Sequence, residues 1–195
     1  MRLVSIRLTS RMASRSCVAL LVGLLVTGCA LMPTTPRLEP MPMMVSQNAD
    51  GSLTATFPLC AGDAVDLAGV TVPSGQDVAS LQVSSADGRA EAHSQVQLDI
   101  NASTLLTGQL NSGLQVAEPL PAAASHDPRD VVRIFVYTIR GEVSVNRTTL
   151  EELGGDTWLA RGTAAGADST VERVSDSTGR QAIVDFCVHT SGSDR

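Results

Sequence analysis

The chain contains no lysine, and only five of its 195 residues are aromatic: three Phe, one Tyr and one Trp. All basic charge is therefore arginine, 14 residues against 20 acids, for a net charge of −6. An acidic surface repels phosphate backbones and anionic headgroups alike. That argues against nucleic acid as a partner and against electrostatic binding to anionic lipid. Scarce aromatics argue against a carbohydrate-binding module, because sugar sites lean on aromatic platforms. Catalytic signatures are missing too: there is no Gly-x-Ser-x-Gly elbow, no His-Glu-x-x-His and no phosphate loop. Ser125-His126-Asp127 has the residue types of a nucleophilic triad, but triad members converge from separate parts of a fold, so the run reads as loop. One long apolar run exists, Cys17 to Thr27. It falls short of the roughly 20 residues that a membrane-spanning helix needs.

That apolar run follows a stretch holding Arg2, Arg7, Arg11 and Arg15 and no acid, and it is followed by the small residue Gly28 and then Cys29. A basic start, a short apolar segment and a small residue at the cut form the secretory signal pattern. Val26-Thr27-Gly28-Cys29 resembles the lipobox of bacterial prolipoproteins, a resemblance confined to residues 1–29. It implies that residues 1–28 are removed and that lipid is attached to the Cys29 thiol. The mature protein is then held on the extracytoplasmic face of the cell membrane. Two or more acyl chains, palmitate among them, give stable anchoring where one is marginal, at roughly 0.8 kcal/mol per buried methylene. Loss of the four signal arginines leaves ten Arg against 20 acids, a net charge of −10. The lipid must then anchor the chain without electrostatic help.

Of four cysteines, Cys17 leaves with the signal segment and Cys29 carries lipid. Cys60 and Cys187 remain, an even pair in an oxidising compartment, and a disulfide between them is expected to join the first and last strands of the folded part. The alternative is a metal site built on Cys187-Val188-His189. One such pair is a poor signal, since structural zinc takes four ligands. The acid pairs Asp63/Asp66 and Asp127/Asp130 lack a full calcium-loop pattern. Residues 29–48, rich in Pro and Met, read as the lipidated cysteine and a flexible tether. Copper on Met41, Met43 and Met44 is the sharper alternative there, since thioethers suit Cu(I).

From residue 49 to 190 the chain reads as a single antiparallel β-sandwich-like domain, all-β, with one short helix; a small α+β domain is the second choice. Alternation marks strands over 52–57 and 65–72, and Asp87-Gly88 between 78–84 and 95–100 marks a hairpin. One strand is expected near 113–118. Val131 to Ile139 reads as a central strand covered on both faces, turning at Arg140-Gly141 into 142–145. Thr149 and Glu152 fit a capping box for the helix, with Gly154 as its stop. Trp158 reads as a core or edge plug in a short strand, 162–181 as loop, 182–189 as the closing strand, and 191–195 as a polar tail. Val132, Ile134, Val136, Val143, Val145, Ile183 and Phe186 are the expected core.

Segment Pro58-Leu59-Cys60-Ala61-Gly62-Asp63, with the late Phe186-Cys187, resembles small uncharacterised lipoproteins of high-GC bacteria. The resemblance supports one domain and the disulfide and carries no activity. The functional expectation is a non-catalytic binding or structural module at the cell envelope, without cofactor or metal. Its partners are the membrane, through lipid on Cys29, and an envelope protein. The alternative is an extracytoplasmic hydrolase whose site assembles from distant residues, with His93, His126 or His189 as base because histidine titrates near neutral pH.

Overall fold

The structure, a computed structural model, describes residues 39–86, 88–90, 94–109, 113–162 and 169–190. The expected signal segment, Cys29, His93 and the polar tail lie outside the described residues.

The described chain is all-β and sandwich-like. Eleven strands form two sheets: β1 (Glu39–Pro40), β2 (Pro42–Gln47), β3 (Leu53–Leu59), β4 (Val65–Ser74), β5 (Asp77–Ser85), β6 (Ser94–Ile100), β7 (Leu114–Glu118), β8 (Arg133–Thr138), β9 (Gly141–Asn146), β10 (Thr157–Arg161) and β11 (Thr170–Arg173). One sheet runs β1-β9-β8-β4-β5-β7 and the other β11-β10-β2-β3-β6. Every pairing is antiparallel except β1 with β9. Three helices complete the fold: α1 (Ala102–Thr107), α2 (Arg147–Leu153) and α3 (Asp176–Thr190).

Period-2 alternation decides the core. Met43 and Val45 on β2, Ala55 and Phe57 on β3, Leu81 and Val83 on β5, Ile134 and Val136 on β8, Val143 and Val145 on β9, and Trp158 on β10 turn inward together. Burying each such side chain is worth about 1.5–3 kcal/mol. The two sheets treat their outer faces differently. Helix α3 lies across β2, β3 and β10. It encloses Met44, Leu159 and its own Ile183, all nearly inaccessible. A Cβ on Gly179 would stand 2.6 Å from the Met44 sulfur, so the glycine allows the helix to sit this close. The fold is therefore sheet, sheet, helix, and the middle strands of the second sheet are buried on both faces.

Four sequence expectations change. Residues 39–47 belong to the fold and not to the tether: Leu38–Arg195 forms one compact unit, and β2 is the middle strand of its sheet. Proline did not prevent this. Pro42 is the first residue of β2, where a missing N–H is tolerated. Met41, Met43 and Met44 are core residues, each at most 2% exposed. Residues 182–189 are helix and not strand, because a short apolar run fits a buried strand or a buried helix equally well. Ser175 starts that helix by accepting the Thr178 N–H at 3.2 Å, and β11 and the first turn of α3 lie inside the span read as loop. Strands β5 and β6 lie in different sheets, so Asp87-Gly88 joins no hairpin; the hairpin is β4–β5, turning at Gly75. Val132 precedes β8 and is 43% exposed, whereas Ile134, Val136, Val143, Val145 and Ile183 are buried and Phe186 is half-buried.

Smaller differences have local causes. Helix α2 begins at Arg147 after Asn146, two residues before the expected cap, and it stops at Gly154. Helix α1 has no clear sequence signal, because its six residues carry too little periodicity. Its N-terminus is fixed by Asn101, whose side chain accepts the Thr104 N–H at 2.9 Å. Trp158 is a core residue, 2% exposed, with its Nε1–H donated to the Gly154 carbonyl at 3.1 Å.

Candidate functional site

Cys60 and Cys187 form a disulfide, with Cα atoms 5.2 Å apart. The pairing is the expected one, but it ties the end of β3 to helix α3 and not to a last strand. Its sulfur is thereby spent, and Cys187 is no thiolate partner for His189 in a metal site. Among the described residues no three His, Cys, Asp or Glu side chains gather as ligands.

The disulfide also fixes one wall of a groove of about 680 Å³. Cys187 turns inward, and the neighbouring helical positions Gln181, Asp185 and His189, spaced four apart, fall on the groove flank of α3. Ala182 and Phe186 form the apolar floor of the same wall, and Ser177 and Thr178 its beginning. The opposite wall is strand: Pro40 and Pro42, where the chain passes from one sheet to the other, and Arg161 at the end of β10. Alternation along β10 turns Trp158 and Ala160 into the core and Arg161 toward α3. Gln181 donates to the Asp185 carboxylate at 2.7 Å and holds it in place. The only ion pair given to Arg161 among the described residues is with Glu172 at 3.9 Å, both side chains well exposed. An exposed pair at that distance contributes little. Cation and carboxylate thus face the same groove from opposite walls without joining each other.

A second concavity, about 420 Å³, gathers Asp50, Ser52, Asn101, His126, Asp127 and Arg129. It brings His126 beside a serine and two carboxylates, the residue types of a hydrolase, but the bonds run elsewhere. Ser52 donates its hydroxyl to Asp50 at 2.6 Å. Asp127 takes the Arg129 guanidinium on both oxygens, at 3.0 and 2.9 Å. Ser125 donates to Asp130 at 2.5 Å. The Ser52 hydroxyl and backbone N–H hold Asp50 below the usual carboxylate range, and Arg129 does the same for Asp127. Carboxylates held low are poor proton acceptors. No Ser–His bond occurs among the described residues. His126 and His189 lie in separate concavities, so these two histidines do not converge.

Asp63 is buried, its side chain 2% exposed, in the turn that follows Cys60. Arg140, in the β8–β9 turn, donates Nε to its carboxylate at 3.1 Å. Burial pushes this carboxyl above its ordinary 3.8, and Arg140 offsets that only in part. An acid whose pKa is raised by folding favours the folded state most when protonated. The stability difference between the wild type and Asp63→Asn is therefore expected to be largest below pH 3.8. It should decline as pH rises from 3.8 through the raised folded value, then level off. Urea midpoints of both proteins between pH 3 and 7 check this; a difference that grows with pH would mean that Arg140 outweighs burial.

No helix among the described residues is long and apolar enough to cross a membrane. Comparison of the chain with protein-family models, with curated proteins and with solved structures finds no match.

Proposed function

We propose that this protein is an exported lipoprotein, anchored by lipid on Cys29 to the extracytoplasmic face of the cell membrane. Its sandwich is a non-catalytic module that binds a component of the cell envelope. The observation that carries the reading is the pairing of two independent signals. A lipobox-like Val26-Thr27-Gly28-Cys29 ends the signal segment, and the cysteines left beyond it, Cys60 and Cys187, are joined as a disulfide. Disulfides persist outside the reducing cytosol, so both features name one compartment.

The described fold begins at Glu39, ten residues after Cys29. Ten residues reach at most about 33–36 Å when fully extended. A partner must therefore lie close to the membrane, and the groove beside Pro40 and Pro42 stands at the end of the domain where this link arrives. The binding reading is favoured over hydrolysis because Ser52 is bonded to Asp50 and not to a histidine. In cells fed labelled palmitate, the wild type is expected to take up label, and Cys29→Ser is expected to take up none. Full labelling of Cys29→Ser would sink the anchor. Turnover of a test ester that His126→Ala abolishes would move the reading to the hydrolase.

A further inference from the structure

Arg161 and Asp185 line one groove from opposite walls, and no ion pair joins them among the described residues. Between them lies an apolar floor of Pro42, Ala182 and Phe186. A ligand that satisfies all three elements carries an anionic group at one end, a cationic group at the other and compact apolar substance between. We infer that the groove binds a short zwitterionic peptide, its terminal carboxylate on Arg161 and its ammonium on Asp185. This rests on the binding-module reading and gives that module a ligand class.

The volume suits such a ligand. The volume of about 680 Å³ lies within the range of small-ligand sites. Both recognition groups are prepared. Gln181 holds the Asp185 carboxylate from one side and leaves its remaining lone pairs for an ammonium. Arg161 has five donors and gives up only a long contact to Glu172, at 3.9 Å, when a carboxylate arrives. A guanidinium meets a carboxylate on two parallel bonds, which favours a peptide terminus over a single carbonyl. Asp185 sits two residues before Cys187, so the disulfide holds the ammonium site in register with the strand wall.

Trialanine is the probe, titrated calorimetrically into the lipidated protein purified in detergent. It is expected to bind. Arg161→Gln and Asp185→Asn are each expected to weaken it about tenfold or more, the usual effect of losing a charged hydrogen-bond partner. The peptide can be changed in place of the protein. C-terminal amidation should cost as much as Arg161→Gln and nothing further on that variant. N-acetylation should match Asp185→Asn in the same way. These peptide pairs keep the test sound if a variant folds poorly. Absence of binding at millimolar trialanine would overturn the inference, as would equal affinity for the free and the doubly blocked peptide. Capture of an envelope neighbour in cells without trialanine binding would overturn the ligand class and leave the anchored module standing.

Discussion

Replacing both Cys60 and Cys187 by serine is expected to lower stability by about 5 kcal/mol. The bond closes a sequence separation of 127 residues. In the chain-entropy treatment, cross-linking a loop of that length removes freedom from the unfolded chain worth about that amount. For a domain of this size the melting temperature should fall by about 10–15 °C. Thermal unfolding followed by circular dichroism checks it, with the reduced wild type expected to melt alongside the variant. A loss below about 1 kcal/mol would show that the unfolded chain is already restrained by other means. The damage should also be unevenly placed. Helix α3 is joined to the rest of the chain through Val174 and Ser175 at one end and through Cys187 at the other. Hydrogen exchange should therefore rise first in the turns around Cys187. Peptide binding should weaken with it, because Asp185 and His189 flank the severed bond.

This bond is legible in the sequence, and so are the class of the fold and a part of its inner face. Cysteine arithmetic left one possible pair. The apolar run of β8 and the alternation of β9 place Ile134, Val136, Val143 and Val145 in the core, and all four are buried. Alternation works where a strand has one wet face. It fails where a strand is covered twice, and β2, beneath α3, is covered twice. Met44 and Leu159 face the helix while Met43 and Val45 face the other sheet, so β2 shows a continuous apolar run with no period to read. The same loss of period disguised α3 itself. Its residues from Ala182 to Val188 alternate poorly as either strand or helix, and Val184 and Val188 remain exposed at 49% and 62%. The groove is hidden in the sequence for the same reason. With residues 182–189 taken as a strand, Asp185 and His189 could not be placed on one flank with Gln181. With residues 29–48 taken as a tether, Pro40 and Pro42 could not be a wall. What identified the groove is tertiary: α3 crossing β10 near Arg161, a contact between parts of the chain that have no local signal in common.

Deleting residues through 48 is expected to abolish folding, whereas deleting through 37 is expected to leave the domain intact. Read as a Pro- and Met-rich tether, the segment up to residue 48 looks dispensable. In the fold, β2 pairs on one side with β10 through Pro42–Ser46 and on the other with β3 through Met44–Gln47. Its removal splits the five-stranded sheet into β11-β10 and β3-β6 and leaves both partners with an unpaired edge. The core loses Met41, Met43 and Val45 from between the sheets and Met44 from beneath α3. Truncating a buried Met to Ala alone typically costs about 2–5 kcal/mol. Three such losses, with that of Val45 besides, are together as large as the roughly 5–15 kcal/mol that holds an ordinary domain folded. The first deletion should therefore give a chain without a cooperative thermal transition and without the near-ultraviolet signal of Trp158, which packs in the same core. The second, spanning 38–195, should melt within a few degrees of the chain that begins at Cys29. A folded 49–195 chain would mean that another segment can take the place of β2, and the proposed membrane link would regain the nine residues from Glu39 to Gln47 that the sheets now hold.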